Sequence, residues 1–247
     1  MSTAALEVRD LQKSFGGVAV TQGVSLTIQP GERRLIIGPN GAGKTTLFNQ
    51  IAGEIMPDSG TISVFGQDLT HQPVQARAHA GVSRTYQVIT LFAKDTLAHN
   101  VALAMLGVNR QRFQIFKAFR SDDELYERAL QILSSLGLKD KAHLQAGEIS
   151  YGEQRRVEIA VAMSQSPRLL LLDEPLAGLS QDERAMVRDL IAGLPRETAI
   201  VMIEHDMDVA LAFAEQITVL HQGRVIVEGD RETVVNHPRT REIYLGT

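Results

Sequence analysis

The chain of 247 residues contains no cysteine and no tryptophan. Without cysteine it can form neither disulfide bonds nor thiolate zinc sites, which fits a reducing compartment. No apolar run approaches the roughly 20 residues that a membrane-spanning helix needs. The first residues, Met1–Ala5, lack the basic and apolar blocks of a signal peptide. We therefore expect any membrane role to depend on a partner protein.

An excess of basic charge is also missing. The 25 Lys and Arg residues face 29 Asp and Glu residues, so the formal net charge is −4. General nucleic-acid binding favours the opposite balance, and we expect no nucleic-acid partner. Apolar residues make up 44% of the chain. This length and composition allow one large domain with an added lobe, or two small domains.

The clearest motif is G-x-x-x-x-G-K-[ST], placed between an apolar run that ends at Ile37 and a helical pattern that begins near Lys44. In this context glycines let successive N–H groups face a phosphate, and the helix start adds its positive dipole end. We expect Lys44 to reach the β- and γ-phosphates of a nucleotide and the Thr45 hydroxyl to bind Mg²⁺. The expected ATP-binding residues here are Gly38, Pro39, Asn40, Gly41, Ala42, Gly43, Lys44, Thr45 and Thr46.

Two adjacent acids, Asp173 and Glu174, follow four leucines that are typical of a strand buried on both faces in a parallel sheet. Ligands bind at the carboxyl ends of such strands. Because adjacent strand residues point in opposite directions, we expect Asp173 to face Mg²⁺ and Glu174 to act as the general base for attacking water. A second buried run, Ala199–Ile203, is soon followed by His205. That histidine could bond the γ-phosphate, although a lone histidine is more often structural.

Other positions are ambiguous on local pattern alone. Phe15, at the edge of an N-terminal antiparallel sheet, could stack on adenine or belong to the core. Gln87 closes a predicted strand and could bind Mg²⁺ or orient the attacking water. Ser150 and Glu153 have the spacing of a capping box at a helix start. Segment 110–120 mixes basic residues with phenylalanines, and it could lie against lipid, contact a partner or form an ordinary solvated helix.

Taken together, these elements resemble the ATP-binding-cassette (ABC) ATPase family over essentially the whole chain. The family's motifs occur in the expected order: the A-loop aromatic (Phe15), Walker A (Gly38–Thr45), the Q-loop glutamine (Gln87), the signature segment (Ser150, Tyr151, Gly152 and Glu153), Walker B (Leu169–Asp173), the catalytic glutamate (Glu174) and the switch histidine (His205). This order favours the functional interpretation of Phe15, Gln87 and His205.

The resemblance implies an α/β fold: a P-loop NTPase (RecA-like) core with an N-terminal antiparallel β subdomain and an inserted α-helical subdomain. The single ABC ATPase domain would span residues 1–247. Residues 1–86 and 155–247 would form the nucleotide-binding core, and residues 87–154 the helical subdomain that ends in the signature. The implied cofactors are ATP and Mg²⁺, the latter near Thr45, Gln87 and Asp173. Catalysis would depend on Glu174, His205 and Gln87.

The resemblance also implies partners. Two cassettes, as a homodimer or a heterodimer, would enclose each ATP between one Walker A and the other chain's signature. The cassettes would bind permease subunits in the membrane, and hydrolysis of ATP to ADP and phosphate would drive transport through them. A solute-binding protein would be an indirect partner. The chain would then lie peripherally at the cytoplasmic face of the inner membrane.

Three departures from the family pattern stand out. Tyr151 replaces the first signature glycine, Glu153 replaces the signature glutamine, and Ser180 stands where many members carry the D-loop aspartate. The tyrosine, segment 84–87, segment 177–179, the long insert 107–120 and the terminal Tyr244-Leu245-Gly246 resemble the branch that imports branched-chain amino acids. A lipopolysaccharide exporter, a urea or amide importer and a non-transport ABC ATPase stay open as alternatives.

Overall fold

The computed structural model describes residues 3–108, 124–204 and 213–245. The strands along these residues are β1 (Leu6–Phe15), β2 (Val18–Ile28), β3 (Arg33–Ile37), β4 (Ser59–Val64), β5 (Gln67–Asp68), β6 (Val82–Arg84), β7 (Leu169–Asp173), β8 (Ala199–Ile203), β9 (Gln216–His221) and β10 (Arg224–Gly229). The helices are α1 (Lys44–Ala52), α2 (Val74–His79), α3 (Leu97–Val108), α4 (Glu124–Ser135), α5 (Tyr151–Ser164) and α6 (Gln181–Ala192), followed by Arg231–Asn236 and Pro238–Leu245.

The residues pack into two units. The first unit consists of Met1–Arg84, Arg168–Glu174 and Leu194–Thr247, and the second, the helical unit, of Thr85–Pro167 and Pro175–Gly193. The motifs placed the boundary of the helical subdomain at residue 154, whereas packing groups 155–167 and 175–193 with the helices. Helix α5 packs on α3 and α4, and α6 packs on α5.

The first unit begins with a four-stranded antiparallel sheet in the order β2-β1-β4-β5. Leu6, Val8 and Leu11 of β1 are buried, as the apolar alternation predicts. The turn between β1 and β2 is formed by Gly16 and Gly17, whose φ angles of 54° and 86° lie in the left-handed region that favours glycine. This hairpin leaves Phe15 at the end of β1.

A six-stranded sheet in the order β10-β9-β3-β8-β7-β6 forms the centre of the first unit. Strands β3, β6, β7, β8 and β9 are parallel, and β10 pairs antiparallel with β9. Every residue of β3, β7 and β8 is buried, which explains their nearly continuous apolar sequences. Because parallel strands end at one edge, Ile37, Asp173 and Ile203 reach the same side of the sheet.

The helical unit has its own apolar core, formed by residues of α3, α4 and α5. Ala129 and Leu133 of α4 and the following Leu136 are buried in this core, and Leu125 and Ile132 pack against them. The basic and aromatic segment 110–120 lies outside the described residues. Of the helices that the structure describes, none combines the length and apolar character that crossing a membrane requires.

Candidate active site

The phosphate-loop sequence joins the end of β3 to the start of α1, as predicted. Gly41 and Gly43 have φ angles of 80° and 97°, which other residues rarely adopt. A β-carbon on Gly38 would lie 2.1 Å from the carbonyl oxygen of Leu220, and one on Gly43 would lie 2.6 Å from the carbonyl oxygen of Val20. Only glycine fits at these two positions. The tight curve of the backbone that results suits a phosphate group.

Lys44 folds back over this loop. Its ammonium donates hydrogen bonds to the carbonyl oxygens of Gly38 (2.7 Å) and Pro39 (3.1 Å), and the residue is only 6% exposed. Burial lowers the pKa of Lys44, and the negative charges of Glu174 and Asp173 oppose that shift. The lysine therefore lies within electrostatic reach of both acids that follow β7. Thr45, next along α1, is exposed.

Asp173 and Glu174 leave β7 in different conformations. Asp173 is the last strand residue and is 1% exposed. Glu174 has a φ angle of 48°, while its N–H still donates to the carbonyl oxygen of Ile203 (3.0 Å). A left-handed glutamate costs on the order of 1–2 kcal/mol, and such strain gathers at functional sites. The backbone conformation thus changes between the two acids, from the extended strand at Asp173 to the left-handed region at Glu174.

Arg84 contacts the candidate site, and the sequence motifs did not predict this contact. It ends β6, beside β7, and its Nη2 donates to Oδ2 of Asp173 at 2.7 Å. Its Nη1 donates to Oδ1 of Asn49 at 2.6 Å and lies 3.3 Å from Oε1 of Glu54. The available signal was a basic residue at the carboxyl end of a buried strand. The sequence alone, however, does not say that β6 lies next to β7.

The signature segment opens helix α5 with the predicted capping box. The Glu153 N–H donates to Oγ of Ser150 (3.3 Å), and the Ser150 N–H donates to Oε2 of Glu153 (3.0 Å). Glu153 Oε1 also accepts a hydrogen bond from Lys141 (2.5 Å). Tyr151 is 44% exposed and lies against Gly178, where an added β-carbon would be 3.2 Å from the tyrosine ring. The glutamate thus has a local role that the usual glutamine would fill less well.

Comparison with known proteins decides the family. A family model described as ABC transporter matches residues 21–177. The chain belongs to the ABC transporter family. This ABC chain is 38% identical over 253 residues to the high-affinity branched-chain amino acid transport ATP-binding protein LivG of Escherichia coli, with 100% of this chain and 99% of the relative covered.

Solved structures of ABC cassettes agree with the fold. A nucleotide-free ATP-binding cassette from an ABC transporter has a TM-score of 0.87 at 29% identity, covering 99% of this chain and 100% of the other. The ADP conformation of an ATP-binding cassette of an ABC transporter has a TM-score of 0.86 at 29% identity, covering 99% of each chain. The predicted fold class, an α/β P-loop core with a β subdomain and a helical subdomain, is confirmed.

In this ABC chain Gln87, the residue predicted as the Q-loop glutamine, belongs to the helical unit. Gln87 is exposed, and the carbonyl oxygens of Tyr86 and Gln87 accept hydrogen bonds from Arg155 of α5 at 2.6 and 3.1 Å. Arg155 and Glu158 are both buried, and Nη1 of Arg155 lies 2.7 Å from Oε2 of Glu158. Oε1 of Glu158 in turn accepts a hydrogen bond from the N–H of Thr90 at 2.9 Å. Burial raises the pKa of Glu158. The signature helix therefore holds the backbone of the Q-loop segment on both sides of Val88.

The strand predicted to end at Gln87 ends at Arg84 instead. Strand β6 pairs with β7 from Val82 to Arg84, and farther along the chain the carbonyl oxygens of Tyr86 and Gln87 accept the hydrogen bonds from Arg155. Phe15 is 46% exposed at the end of β1, so it is not a core residue. The ammonium of Lys13 lies 5.5 Å from the centre of its ring. His205 lies outside the described residues.

The described residues contain no group of three or more His, Asp or Glu side chains that could hold a metal by themselves. The set formed by the Thr45 hydroxyl and the Asp173 carboxylate still fits Mg²⁺, which in nucleotide sites binds through one or two protein oxygens together with phosphates and water. Both residues belong to the first unit, near the phosphate loop. A magnesium ion here would depend on the nucleotide for much of its coordination.

Proposed function

We propose that the chain is the ATP-hydrolysing subunit of an ABC transporter that imports branched-chain or related amino acids. The observation that carries this proposal is the convergence of Lys44, on its glycine loop, with Asp173 and Glu174 at the end of β7. A lysine over a curved backbone grips phosphates, and two acids beside it can serve a metal and a water. No other described part of the chain unites these groups.

The first unit would bind the nucleotide. Residues Gly38–Thr46 would surround the phosphates, with loop N–H groups, the start of α1 and Lys44 supplying positive charge. Lys44 would exchange its present bonds to the loop carbonyls for bonds to the β- and γ-phosphates. The exposed ring of Phe15 is available to stack on the adenine.

Hydrolysis would require one residue to accept a proton from water. Glu174 is suited to this role because its carboxylate acts on Lys44 of the phosphate loop and the residue is not fully buried. When bound, Mg²⁺ would neutralise charge on the β- and γ-phosphates. Asp173 and Thr45 would hold the ion, with Gln87 assigned to the same metal and water by the resemblance. His205 is assigned to the γ-phosphate on the same ground.

The signature segment would act on a second cassette. Helix α5 is capped by Ser150, and the first N–H groups of a helix favour an anion. Ser150, Tyr151, Gly152 and Glu153 would contact the ATP of a partner chain, either an identical copy or a related one. ATP would hold the pair together, and hydrolysis would release it.

The helical unit also offers a surface for a permease. Val88 is 76% exposed and Phe92 is 64% exposed, both in the Q-loop segment that Arg155 holds on α5. Exposed apolar side chains grouped in this way mark interaction sites. Cytoplasmic helices of a membrane permease would dock here and place the chain at the inner face of the membrane. A solute-binding protein would communicate only through that permease.

The choice of solute rests on the similarity to LivG and on the branch features Tyr151 and Arg84–Gln87. The test is to co-purify the chain with its permease and to measure ATPase activity with a panel of amino acids, urea and lipid-linked substrates. Stimulation by branched-chain amino acids, absent when Glu174 is replaced by Gln, is the expected result. Stimulation by lipid-linked substrates alone would favour the exporter.

A further inference from the structure

The guanidinium of Arg84 joins two parts of the first unit that both bear on the proposed metal site. Its side chain is 6% exposed, and it pairs with Asp173, which is 1% exposed. On the other side it reaches Asn49 and Glu54, the first within α1 and the second just after it. The guanidinium carbon also lies 5.8 Å from the centre of the Phe48 ring of α1. One side chain therefore connects the end of β7 with α1.

This connection matters because α1 begins with Lys44 and Thr45. The bond from Nη2 of Arg84 fixes one carboxylate oxygen of Asp173, and the bond from Nη1 to Asn49 ties the same guanidinium to α1. Arginine suits the pairing because its planar fork is always charged and bonds two partners at a fixed angle. A lysine at this position would keep the charge but could not hold both sides in the same geometry.

We propose that Arg84 is a positioning residue for the metal site, fixing Asp173 relative to the first turn of α1 so that the carboxylate and the Thr45 hydroxyl keep the spacing that Mg²⁺ requires. The inference rests on the proposed nucleotide function of this unit. It gives a reason for an arginine at the end of β6, where its guanidinium meets both Asp173 and Asn49. It also makes the metal-dependent part of nucleotide binding sensitive to Arg84.

A purely structural arginine would behave differently, and Arg77 provides the comparison. Arg77 is 1% exposed and donates to the carbonyl oxygens of Gln50 and Ile51 at the end of the same helix, both at 2.7 Å. Its remaining hydrogen bonds go to Thr70 and Gln72. It thus supports α1 as Arg84 does, but its bonds do not include Asp173. Arg77→Lys is the matched control.

The experiment is calorimetric titration of the full chain with ADP, in EDTA and in excess Mg²⁺. For Arg84→Gln we expect ADP affinity in EDTA within about twofold of wild type, whereas the gain in affinity that Mg²⁺ confers falls at least ~5-fold. Arg84→Lys should lie between the two. Arg77→Lys should lower the melting temperature but keep the full gain with Mg²⁺.

Two further comparisons make the result decisive. Asp173→Asn should also lose the increase in ADP affinity that Mg²⁺ confers. The double variant with Arg84→Gln should lose little more, because the two substitutions remove the same interaction. If Arg84→Gln does not fold, Arg84→Lys carries the comparison. A full Mg²⁺ gain in the folded Arg84 variants would overturn the positioning role. Failure of the wild-type chain to bind ADP at all would instead overturn the proposed function.

Discussion

The carboxylate of Glu183 occupies the space into which a side chain on Gly152 would project. A β-carbon built on Gly152 would lie 2.2 Å from Glu183 Oε1, closer than any real contact. Hydrogen bonds from Ser180 lower the pKa of Glu183 most, and the Gly152 N–H adds to that effect. Glu183 therefore links the first turn of α6 to the first turn of the signature helix, and a larger residue at position 152 would have to displace the Glu183 side chain or shift the helix start.

Replacing Gly152 by Ala tests this contact. The added methyl must displace Glu183 or shift the start of α5, and either change alters the groups proposed to meet a partner's ATP. In a Glu174→Gln background we expect the affinity of the ATP-bound dimer to fall at least ~10-fold. Size-exclusion chromatography at a series of protein concentrations measures it. Adding Glu183→Ala should restore part of it.

Gly107→Ala is the control for this test, because an added β-carbon there meets no atom within 4 Å. It should leave dimerisation unchanged. An unaltered dimer in Gly152→Ala would show that the close approach of Glu183 has no bearing on the signature.

The two serine caps of the helical unit give a second test. Ser150 and Ser180 each accept an N–H three residues ahead, from Glu153 at 3.3 Å and from Glu183 at 3.4 Å. Replacing either serine by Ala should lower the free energy of unfolding by about 1 kcal/mol. Only Ser150→Ala should also weaken the ATP-driven dimer. Equal effects of both variants on the dimer would contradict the role assigned to the signature segment.

Much of the fold could be predicted from sequence, since the deciding signals are local. The apolar run before Asp173 predicts a buried parallel strand, the glycines before Lys44 predict a curved loop, and Ser150 with Glu153 predicts a capped helix. These features depend on residues a few positions apart, so they can be recognised without knowledge of the tertiary contacts.

The contacts that complete the site could not be predicted, because they join distant residues. Arg84 meets Asp173 only because β6 lies beside β7 in the sheet, and Glu183 meets Gly152 only because two helix starts approach each other. The exposure of Phe15 likewise depends on where the first hairpin ends, which the local pattern around Phe15 does not show. Sequence patterns indicate which side chains are available, and strand order decides which of them meet.

Asp58, which contacts the end of β1 next to Phe15, should make the stability of the folded chain depend on pH. Its carboxylate accepts hydrogen bonds from Lys13 Nζ and from the Ser14 N–H, both at 2.7 Å, and the Lys13 bond is the main cause of its lowered pKa. When the pKa of a carboxyl group is lower in the folded chain than in the unfolded chain, the group stabilises the fold at a pH above its unfolded pKa, which is roughly 4. That contribution is lost as the pH falls through the folded value.

Thermal unfolding of Asp58→Asn between pH ~3 and ~7 measures this effect. The melting temperature of the variant should fall less steeply than that of wild type as the pH drops below ~5, while Lys13→Met should reproduce most of the change. Curves of identical slope for wild type and Asp58→Asn would show that the bonds to Lys13 and Ser14 do not favour the charged form.

The central claim is that Lys44 and the Asp173–Glu174 pair form one ATP-hydrolysing site. Its most direct test is titration of Glu174→Gln with ATP and Mg²⁺, combined with measurement of phosphate release. We predict tight binding of one ATP per chain, turnover reduced ~10²-fold or more, and binding at least ~10-fold weaker when Lys44→Ala is added. Wild-type turnover in Glu174→Gln, or binding indifferent to Lys44, would contradict the account.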